Sequence, residues 1–349
     1  MNTIQNWGGG ENWHFKTAIN LSKKGYRVFF ILNEKSVLHE KLKSHPEIEV
    51  IAITFNKFSY LNPLTHRELY KIFKTNQIDS VIFNSIRDVN SASTVAKLAG
   101  VQRRIFRYGS YKPLKKKLLT YLSLRHNLTD IFANSQALKE KLLEVEFIDA
   151  KSVDVLYNYV PLKESPKREA HSPILFGISS RLVFHKGFKP LLKALSQLKE
   201  KNFRVAVAGT GKDREAIEQL IKEYQLENRV ELRGFVHDIE AFYQETDLLL
   251  HFSYEDGTSN SILEAMGNRL AVIAFNQSSY PEMVTDKYNG FLVQADNIEE
   301  MKSAINSFIE NPSLVESMGD ASYETIKEKF EESKILNSFI ERYIRWTSL

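Results

Sequence analysis

The sequence predicts an α/β protein made of two doubly wound, Rossmann-like domains, each with a parallel sheet. Three observations support this prediction. Strand-like and helix-like segments alternate along the chain, and a stretch with three prolines interrupts the alternation near the middle. The length of 349 residues also exceeds what a single hydrophobic core usually supports. Such alternation is typical of a parallel sheet with helices on both faces.

The first half contains five strand-like runs, which read RVFFIL, IEVIAI, SVIFN, RRIFRY and DIFAN. Helix-like runs lie among them, and these read HFKTAINLSKKG, LTHRELYKIFKTN, SASTVAKLAG and ALKEKLLE. After the proline-containing stretch Asn158–Pro173 the alternation starts again, with the strands ILFGISS, RVAVAG, RVELRGF, DLLLHFS and AVIAF. We therefore predict domains over residues 1–165 and 170–328. We also predict a C-terminal amphipathic helix over 329–349 that packs back across the linker.

Composition excludes several classes of protein. The formal net charge of +4 is too small to favour a nucleic-acid binder, and the absence of cysteine excludes disulfides and thiolate metal sites. The N-terminus does not resemble a signal peptide, and no apolar run approaches the roughly 20 residues that span a bilayer. Neither an Asp-x-Asp triplet nor an HExxH pattern occurs, so we expect no metal site. These features predict a cytoplasmic protein.

Ligands of open α/β sheets bind outside the carboxyl ends of the strands. In the second half this rule selects three loops. The first contains Arg181 and Lys186, the second contains Gly209 and Gly211, and the third is the stretch EDGTSNSILEAMG, which begins at Glu255. We expect all three loops at one side of the second sheet, facing the first domain.

The residue types in these loops suit a sugar nucleotide. Arg181 and Lys186 supply cations for a phosphate, and Gly257–Ser261 precede a helix whose N-terminus also favours an anion. The acidic Asp256 and Glu264 would not bind the phosphate but suit hydroxyl groups of a ribose and a sugar. The pattern predicts a sugar that is joined through a diphosphate to a nucleoside.

Each of these signals has an ordinary structural alternative. Ser261 and Glu264 have the spacing of a helix capping box, and the basic pair could belong to a solvated loop. The loop GTGKDR resembles the start of a dinucleotide fingerprint, but Arg214 stands where the third glycine would be.

The second half resembles the retaining glycosyltransferases of GT-B fold, family 4, which contain the glycosyltransferase group 1 domain. The resemblance rests on several segments in the family's order: SSRLVFHKGF, VAGTGKDREAIEQLI, VELRGFVHDIEAFYQETDLLLHFSYEDGTSNSILEAMG, AVIAF, PEMV and YNGFLV. In the first half, GGGEN at residues 8–12 resembles the family's glycine loop. The resemblance implies two Rossmann-like domains that face each other.

The resemblance also implies roles for individual residues. Arg181 and Lys186 match the pair that holds the donor diphosphate, and Glu264 matches the second acid of the E-x7-E motif, which meets the ribose. Asp256 replaces the usual first glutamate, which contacts the donor sugar, so either the loop shifts or Glu255 substitutes. These four matched residues are our candidate catalytic residues. The remaining donor-binding candidates are Gly9, Gly10, Gly209, Gly211, Phe235, Val236, Glu255, Gly257, Thr258, Ser259, Asn260 and Ser261.

The acceptor side is less defined. Glu11, Asn12 and His14 follow the glycines and are candidates for acceptor contact, although Glu and Asn are also common in a first helical turn. Arg107 falls near the position of a catalytic-site histidine in the family and could serve a phosphate or an acidic acceptor. The alternative is a solvated basic surface. The basic stretch Arg103–Asn127 could also lie on an anionic membrane through Leu114, Leu118, Leu119 and Leu122, with Lys115–Lys117 beside them.

We therefore expect a metal-independent hexosyltransferase-type enzyme that moves a sugar, with retention, from a UDP- or GDP-type donor to a glycan or lipid-linked acceptor in cell-surface polysaccharide synthesis. No cofactor is expected. The alternatives are a non-catalytic binding subunit of the same fold and a sugar-nucleotide epimerase, which would turn over the donor without an acceptor.

The beginning of the chain departs from the doubly wound pattern. A buried strand of about five or six apolar residues normally precedes the glycine loop, whereas here only Met1–Trp7 precede Gly8. We expect a short or truncated first strand. We also expect that an extension at this end would increase stability and donor turnover.

Overall fold

The computed structural model describes residues 1–56, 58–111, 114, 117–165, 167 and 169–345. It divides into two compact units, the first containing Met1–Tyr157 with the residues from Leu336 onward and the second containing Asn158–Ile335. The division falls before Asn158, whereas we predicted a boundary near residue 165. The last part of the chain belongs to the first unit, where Phe339 and Tyr343 pack against Phe132.

The first unit alternates helices and strands in a parallel arrangement. Its elements are α1 (Gly9–Lys23), β1 (Phe29–Asn33), α2 (Val37–Leu42), β2 (Glu49–Ile53), α3 (Pro63–Thr75), β3 (Ser80–Phe83), α4 (Ile86–Leu98), β4 (Arg103–Tyr108), α5 (Leu118–Leu122), β5 (Asp130–Ala133), α6 (Gln136–Leu143) and β6 (Val153–Val155).

The strands of this unit form two groups, a pair β1–β2 and a four-stranded sheet in the order β3-β4-β5-β6. Residues 1 and 2 lie between the groups. The backbone N–H of Asn2 donates to Ile31, the Met1 ammonium donates to the carbonyl of Ile82, and Asn84 donates to the carbonyl of Met1. Asn2 forms an isolated parallel bridge with Leu32, so the segment before α1 contributes a single bridge.

A cavity of about 420 Å³ lies in the first unit beside Met1. Its walls come from α1, the amino-terminal parts of β1 and β3, and the chain that leads into β3. The lining includes Ala18, Phe30, Phe73 and Val81. The gap between the two groups of strands is therefore only partly filled by side chains.

The second unit has a continuous six-stranded parallel sheet in the order β12-β11-β10-β7-β8-β9. Its elements are β7 (Ile174–Ser179), α7 (Phe188–Ser196), β8 (Phe203–Ala208), α8 (Arg214–Glu223), β9 (Val230–Gly234), α9 (Ile239–Glu245), β10 (Leu248–His251), α10 (Asn260–Gly267), β11 (Ala271–Phe275), α11 (Tyr280–Met283), β12 (Gly290–Val293), α12 (Ile298–Glu310) and α13 (Ser313–Thr325). The chain then continues into α14 (Glu332–Phe339), which ends in the first unit.

The central strands β10 and β11 are buried at every residue, as expected where helices cover both faces of a parallel sheet. Their sequences, LLLH and AVIAF, are accordingly almost wholly apolar. The predicted fold class of two doubly wound parallel-sheet domains is confirmed. In the ranges that the structure describes, no helix has the length and apolar character needed to cross a bilayer.

Candidate functional site

The strand order of the second unit reverses between β7 and β10, which start its two halves. In doubly wound sheets the loops that leave the carboxyl ends at this point diverge and open a crevice for ligands. The loop after β7 carries Arg181 and leads into a helical turn, Phe184–Lys186. The loop after β10 carries Glu255–Ser259 and leads into α10. The topology therefore brings the two predicted loops to one place.

Backbone contacts fix the first of these loops. The N–H of Leu182 donates to the carbonyl of Thr210 at 3.0 Å, and the N–H of Asp213 donates back to the carbonyl of Leu182 at 3.1 Å. Gly209 has φ +154°, and a Cβ there would lie 1.8 Å from the Ser180 carbonyl oxygen. A Cβ on Gly211 would lie 2.2 Å from the Leu182 carbonyl oxygen. Glycine is required at both positions because the two loops touch through their backbones.

Lys186 and Asp256 form the centre of the site. The Lys186 Nζ lies 2.9 Å from both carboxylate oxygens of Asp256 and 3.0 Å from Ser253 Oγ. The lysine side chain is only 11% exposed, so little water competes for its contacts. Two further groups reach Asp256 Oδ2, namely Tyr280 Oη at 3.1 Å and His251 Nε2 at 3.2 Å.

The charges of this cluster are interdependent. Burial alone would raise the pKa of Asp256, but the hydrogen bond from His251 and the charge of Lys186 outweigh it and hold that pKa well below its usual range. Burial lowers the pKa of His251, although the hydrogen bond and the charge of the neighbouring Asp256 carboxylate act in the opposite direction. Burial, followed by the charges of Lys186 and Arg181, also lowers the pKa of His185. Both cations therefore act on the same small volume.

Neighbouring segments hold the loop that carries Asp256. The N–H of Asp256 donates to Ser278 Oγ at 3.2 Å, and Ser279 Oγ donates to the carbonyl of Gly257 at 2.6 Å. The Asn158 amide donates to the carbonyl of Thr258 at 3.0 Å and to Asn260 Oδ1 at 2.9 Å. Sequence reasoning missed these supporting residues, because they come from distant segments and carry no motif of their own.

Helix α10 begins two residues earlier than the capping-box alternative requires, which would place the N-cap at Ser261. Its N-cap is Ser259, which accepts a hydrogen bond from the N–H of Ile262 at 3.5 Å, so Ser261 already belongs to the helix. Glu264 lies farther inside the helix and acts on Tyr243, whose pKa burial raises and the nearby glutamate raises further. Glu264 therefore lies half-buried near Tyr243 and does not act as a helix cap.

Three predicted donor residues are more open. Arg181 is exposed, and its guanidinium has no hydrogen-bond or ion-pair partner in the part of the chain that the structure describes. Glu255 is exposed as well. Phe235 follows the end of β9 and is 69% exposed, with Val236 half-buried beside it. These groups are available to a ligand.

In the first unit, the glycines predicted as a phosphate loop form part of a helix. Gly9 and Gly10 are the first residues of α1, with Gly8 at the N-cap, so the expectation of a separate loop is corrected. Glu11 is buried and accepts a hydrogen bond from Asn84 Nδ2 at 2.8 Å. A Cβ on Gly10 would lie 2.7 Å from Asn84 Oδ1, so this contact explains the glycine.

Arg107 is not part of a solvated basic surface, and that alternative was wrong. The side chain is 1% exposed, and its guanidinium carbon lies 4.8 Å from the centre of the Trp13 ring. Burial lowers the pKa of the neighbouring His14 well below its usual value, and the charges of the Met1 ammonium and Arg107 lower it further. Asn12 is half-buried on the same helix. The structure brings His14 and Arg107 together, but inside the fold.

No group of three or more His, Asp or Glu side chains that could hold a metal ion occurs within the described ranges. The polar groups of the site in the second unit are two cations, a helix N-terminus and carboxylates. This combination can bind a phosphate ester and hydroxyl groups without a metal ligand set.

Two family models match the chain. Residues 162–325 match the model of glycosyl transferases group 1, and residues 9–135 match the model described as glycosyl transferase 4-like. The two matches cover the candidate sites of both units.

Individual proteins that are similar in sequence to this chain are also named as glycosyltransferases. An uncharacterized glycosyltransferase of Haemophilus influenzae is 24% identical over 325 residues, which cover 90% of each chain. The poly(ribitol-phosphate) alpha-N-acetylglucosaminyltransferase of Staphylococcus aureus is 26% identical over 56% of this chain and 40% of its own length. The N-acetylgalactosamine-N,N'-diacetylbacillosaminyl-diphospho-undecaprenol 4-alpha-N-acetylgalactosaminyltransferase of Campylobacter jejuni is 27% identical, over 59% of this chain and 57% of its own length.

A solved structure establishes the fold over nearly the whole chain. The Anabaena protein HepE in complex with UDP superposes with a TM-score of 0.84 at 20% identity, over 97% of both chains.

Proposed function

Because the chain belongs to the GT-B glycosyltransferases of the group 1 family, we propose that it transfers a sugar, with retention, from a nucleoside-diphosphate sugar to an acceptor used in cell-surface polysaccharide synthesis. The donor diphosphate binds beside Lys186, Arg181 and the N-terminus of α10. The observation that carries this proposal is the convergence of Lys186 and the loop before α10 at the reversal point of a doubly wound sheet.

The chemistry requires stabilisation of a leaving group. The bond between the anomeric carbon and the donor phosphate oxygen breaks while the acceptor hydroxyl bonds to the same face of that carbon. The hydroxyl proton leaves with the diphosphate. Lys186, Arg181 and the N–H groups at the start of α10 face the charge that develops on the phosphate. We propose that these groups replace a metal ion.

The relatives guide the choice of donor and acceptor. HepE is described in complex with UDP, and two relatives carry the names of transferases of N-acetylhexosamines onto a poly(ribitol-phosphate) or a diphospho-undecaprenol-linked sugar. We propose a UDP-hexose or UDP-N-acetylhexosamine as donor, and a glycan or lipid-linked acceptor. Phe235, exposed at the end of β9, is the proposed contact for the base.

The test is transfer by the purified protein from a panel of UDP- and GDP-sugars to polyol-phosphate and lipid-linked acceptors, followed by mass spectrometry. The anomeric configuration of the product, measured by NMR, decides between retention and inversion. Lys186→Ala and Arg181→Ala should each lower kcat/KM about 100-fold or more, the scale of a lost preorganised donor. Lys193→Ala, which removes an exposed cation on α7, is the matched control and should leave transfer unchanged.

Other outcomes of the same assay separate the alternatives. Binding of a nucleotide sugar without turnover would favour a non-catalytic subunit. Conversion of the donor sugar without any acceptor would favour an epimerase. Full activity of both alanine variants would contradict the proposed site.

We also propose a peripheral contact of the first unit with an anionic membrane. Leu118, which follows the exposed Lys117, is 74% exposed, and Leu122 is exposed one turn later. Leu119 is half-buried and Leu114 packs against the core, so the apolar face is narrower than the sequence predicted. Lys115 and Lys116 lie outside the described residues.

Flotation with vesicles that contain an anionic lipid tests this contact. Binding should fall with salt and should be weaker for Leu118→Gln. Leu98→Gln, which replaces another exposed leucine at the end of α4, is the control and should bind like the wild type. Equal flotation of all three proteins would contradict the proposal.

A further inference from the structure

We propose that Asp256 is a positioning residue for Lys186 and that the neighbouring Glu255 makes the carboxylate contact with the donor sugar. This inference rests on the proposed function, because it assumes a nucleotide sugar at the same site. It assigns different tasks to two adjacent acids that the family resemblance alone does not separate.

The contacts of Asp256 leave it little capacity for another ligand. Oδ1 accepts a hydrogen bond from Lys186 Nζ, while Oδ2 accepts from Lys186, Tyr280 and His251, all within 2.9–3.2 Å. A carboxylate has roughly four acceptor positions, so this arrangement occupies nearly all of them. A sugar hydroxyl would have to displace a buried donor in order to reach Oδ2.

The donors around Oδ2 are rigid. His251 and Tyr280 are buried, and their rings meet edge to face with centres 5.1 Å apart. His251 ends β10, and Tyr280 begins α11, so both rings are anchored in regular structure. The shorter aspartate fits this arrangement, because a glutamate would carry its carboxylate farther from the backbone that Ser278 holds.

The hydrogen bonds of Lys186 also allow it to bind a phosphate while its ammonium group stays in position. Its three N–H groups are directed to Ser253 Oγ and the two oxygens of Asp256. A phosphate that binds here needs one of these three N–H groups as a hydrogen-bond donor. Oδ2 can release Lys186 because His251 and Tyr280 still satisfy it, whereas Oδ1 keeps the ammonium in position.

Glu255 has the opposite surroundings. Its side chain is exposed, and it has no hydrogen-bond or ion-pair partner among the residues that the structure describes. It immediately precedes Asp256 and the N–H-rich turn before α10, so it borders the same phosphate position. A free carboxylate at this place suits the hydroxyl groups of a sugar.

Calorimetry with two probes, UDP and UDP-glucose, separates the two tasks. If Asp256 positions Lys186, Asp256→Asn should weaken both probes about 10-fold or more and by the same factor, because both carry the diphosphate. Glu255→Gln should leave UDP unchanged and weaken UDP-glucose about 10-fold. Tyr280→Phe should reproduce the pattern of Asp256→Asn with a smaller loss. Glu310→Gln, in an exposed ion pair with Lys201, is the control.

A crystal structure of Asp256→Asn provides a readout that does not depend on nucleotide binding. Lys186 Nζ should leave its position beside Ser253. An unmoved ammonium, or an Asp256→Asn protein that keeps its UDP affinity and loses only UDP-glucose, would overturn the assignment of Asp256. Unchanged UDP-glucose affinity in Glu255→Gln would overturn that of Glu255. A wild type that binds no UDP contradicts the proposed UDP donor and the Glu255 assignment, while the crystal structure still decides the role of Asp256.

Discussion

In the second unit six parallel strands lie side by side without interruption, whereas the strands of the first unit fall into a pair and a group of four. In the continuous sheet, strand ends and backbone contacts between loops bring the segments of Lys186 and Asp256 together. The divided sheet relies more on buried polar side chains. Asp88, for example, accepts hydrogen bonds from the N–H of Thr3 and from Ser85 at 2.8–3.2 Å.

This difference shows which sites sequence motifs can predict. A site that follows from strand order needs only the order and a few residue types. A site built on side-chain contacts between distant segments depends on packing that no short motif encodes. The contrast predicts different responses of the two units to mutation and pH.

The positions of the tryptophans allow unfolding of the two units to be followed separately. All three tryptophans lie outside residues 158–335, at positions 7, 13 and 346. Tryptophan fluorescence therefore follows unfolding of the first unit, and circular dichroism follows both.

The largest expected effect is the loss of a core aromatic from the continuous sheet. Phe176 on β7 is fully buried against Phe203, so Phe176→Ala should lower the free energy of unfolding by about 3–5 kcal/mol. Phe73→Ala in the first unit should cost less, because Phe73 already lines the cavity. Urea unfolding followed by both signals measures the two losses. Equal losses would remove the contrast between the units.

The next effect is a loss of stability of the first unit in acid. The pKa of His14 lies well below 6.5 in the folded chain, mainly because of burial, so the unfolded chain binds the proton first. The contribution of His14 to stability is then fully present above pH 6.5 and falls as the pH drops below it, by up to about 1.4 kcal/mol per pH unit. Fluorescence-monitored urea unfolding at pH 7.5 and 5.5 measures this loss. His14→Phe should flatten the dependence, and an unchanged slope would contradict it.

Glycine substitutions should give a smaller contrast. Gly209→Ala should destabilise the second unit by about 1–3 kcal/mol and lower kcat/KM, because its Cβ would meet the rigid backbone of Ser180. Gly10→Ala should cost less, because its Cβ meets the end of the Asn84 side chain, which can shift at the expense of its hydrogen bond to Glu11. Thermal unfolding and transfer assays of both variants provide the comparison. A tolerated Gly209→Ala would mean that the loops can separate.

The smallest effect concerns helix caps. Ser85 and Asp88 form a complete capping box at α4, so Ser85→Ala should cost about 1 kcal/mol. Ser259→Ala should cost less, because its capping hydrogen bond at 3.5 Å is at the limit of a useful one. Urea unfolding of the two variants and the wild type measures the difference in their free energies of unfolding. A larger cost for Ser259→Ala would show that its contact with His251 matters more than the cap.

Much of the second unit could be predicted from the sequence. The alternation of elements gave the doubly wound fold, and the strand-end rule brought the loops of Lys186 and Asp256 together. The contacts of Asp256 with Tyr280 and His251 could not be predicted, because they depend on how α11 packs over the end of β10. The cap of α10 was also missed, since Ser259 and Ser261 are two serines in one polar run and only backbone geometry selects between them.

The first unit was less predictable for a physical reason. The resemblance of GGGEN to the family's glycine loop predicted a loop, but Gly9 and Gly10 take helical geometry next to Asn84. Arg107 was expected near a ligand or in solvent because the surrounding residues are basic. Its burial follows from stacking on Trp13, a contact between residues nearly a hundred positions apart.

The gap in the first sheet has one more consequence. Among the described residues, β1 pairs with β2 and β3 with β4, so apart from residues 1 and 2 both strands turn an open edge toward the cavity. Open edges present unpaired N–H and C=O groups and accept added strands. The backbone amides there should exchange with deuterium faster than those of β10 and β11.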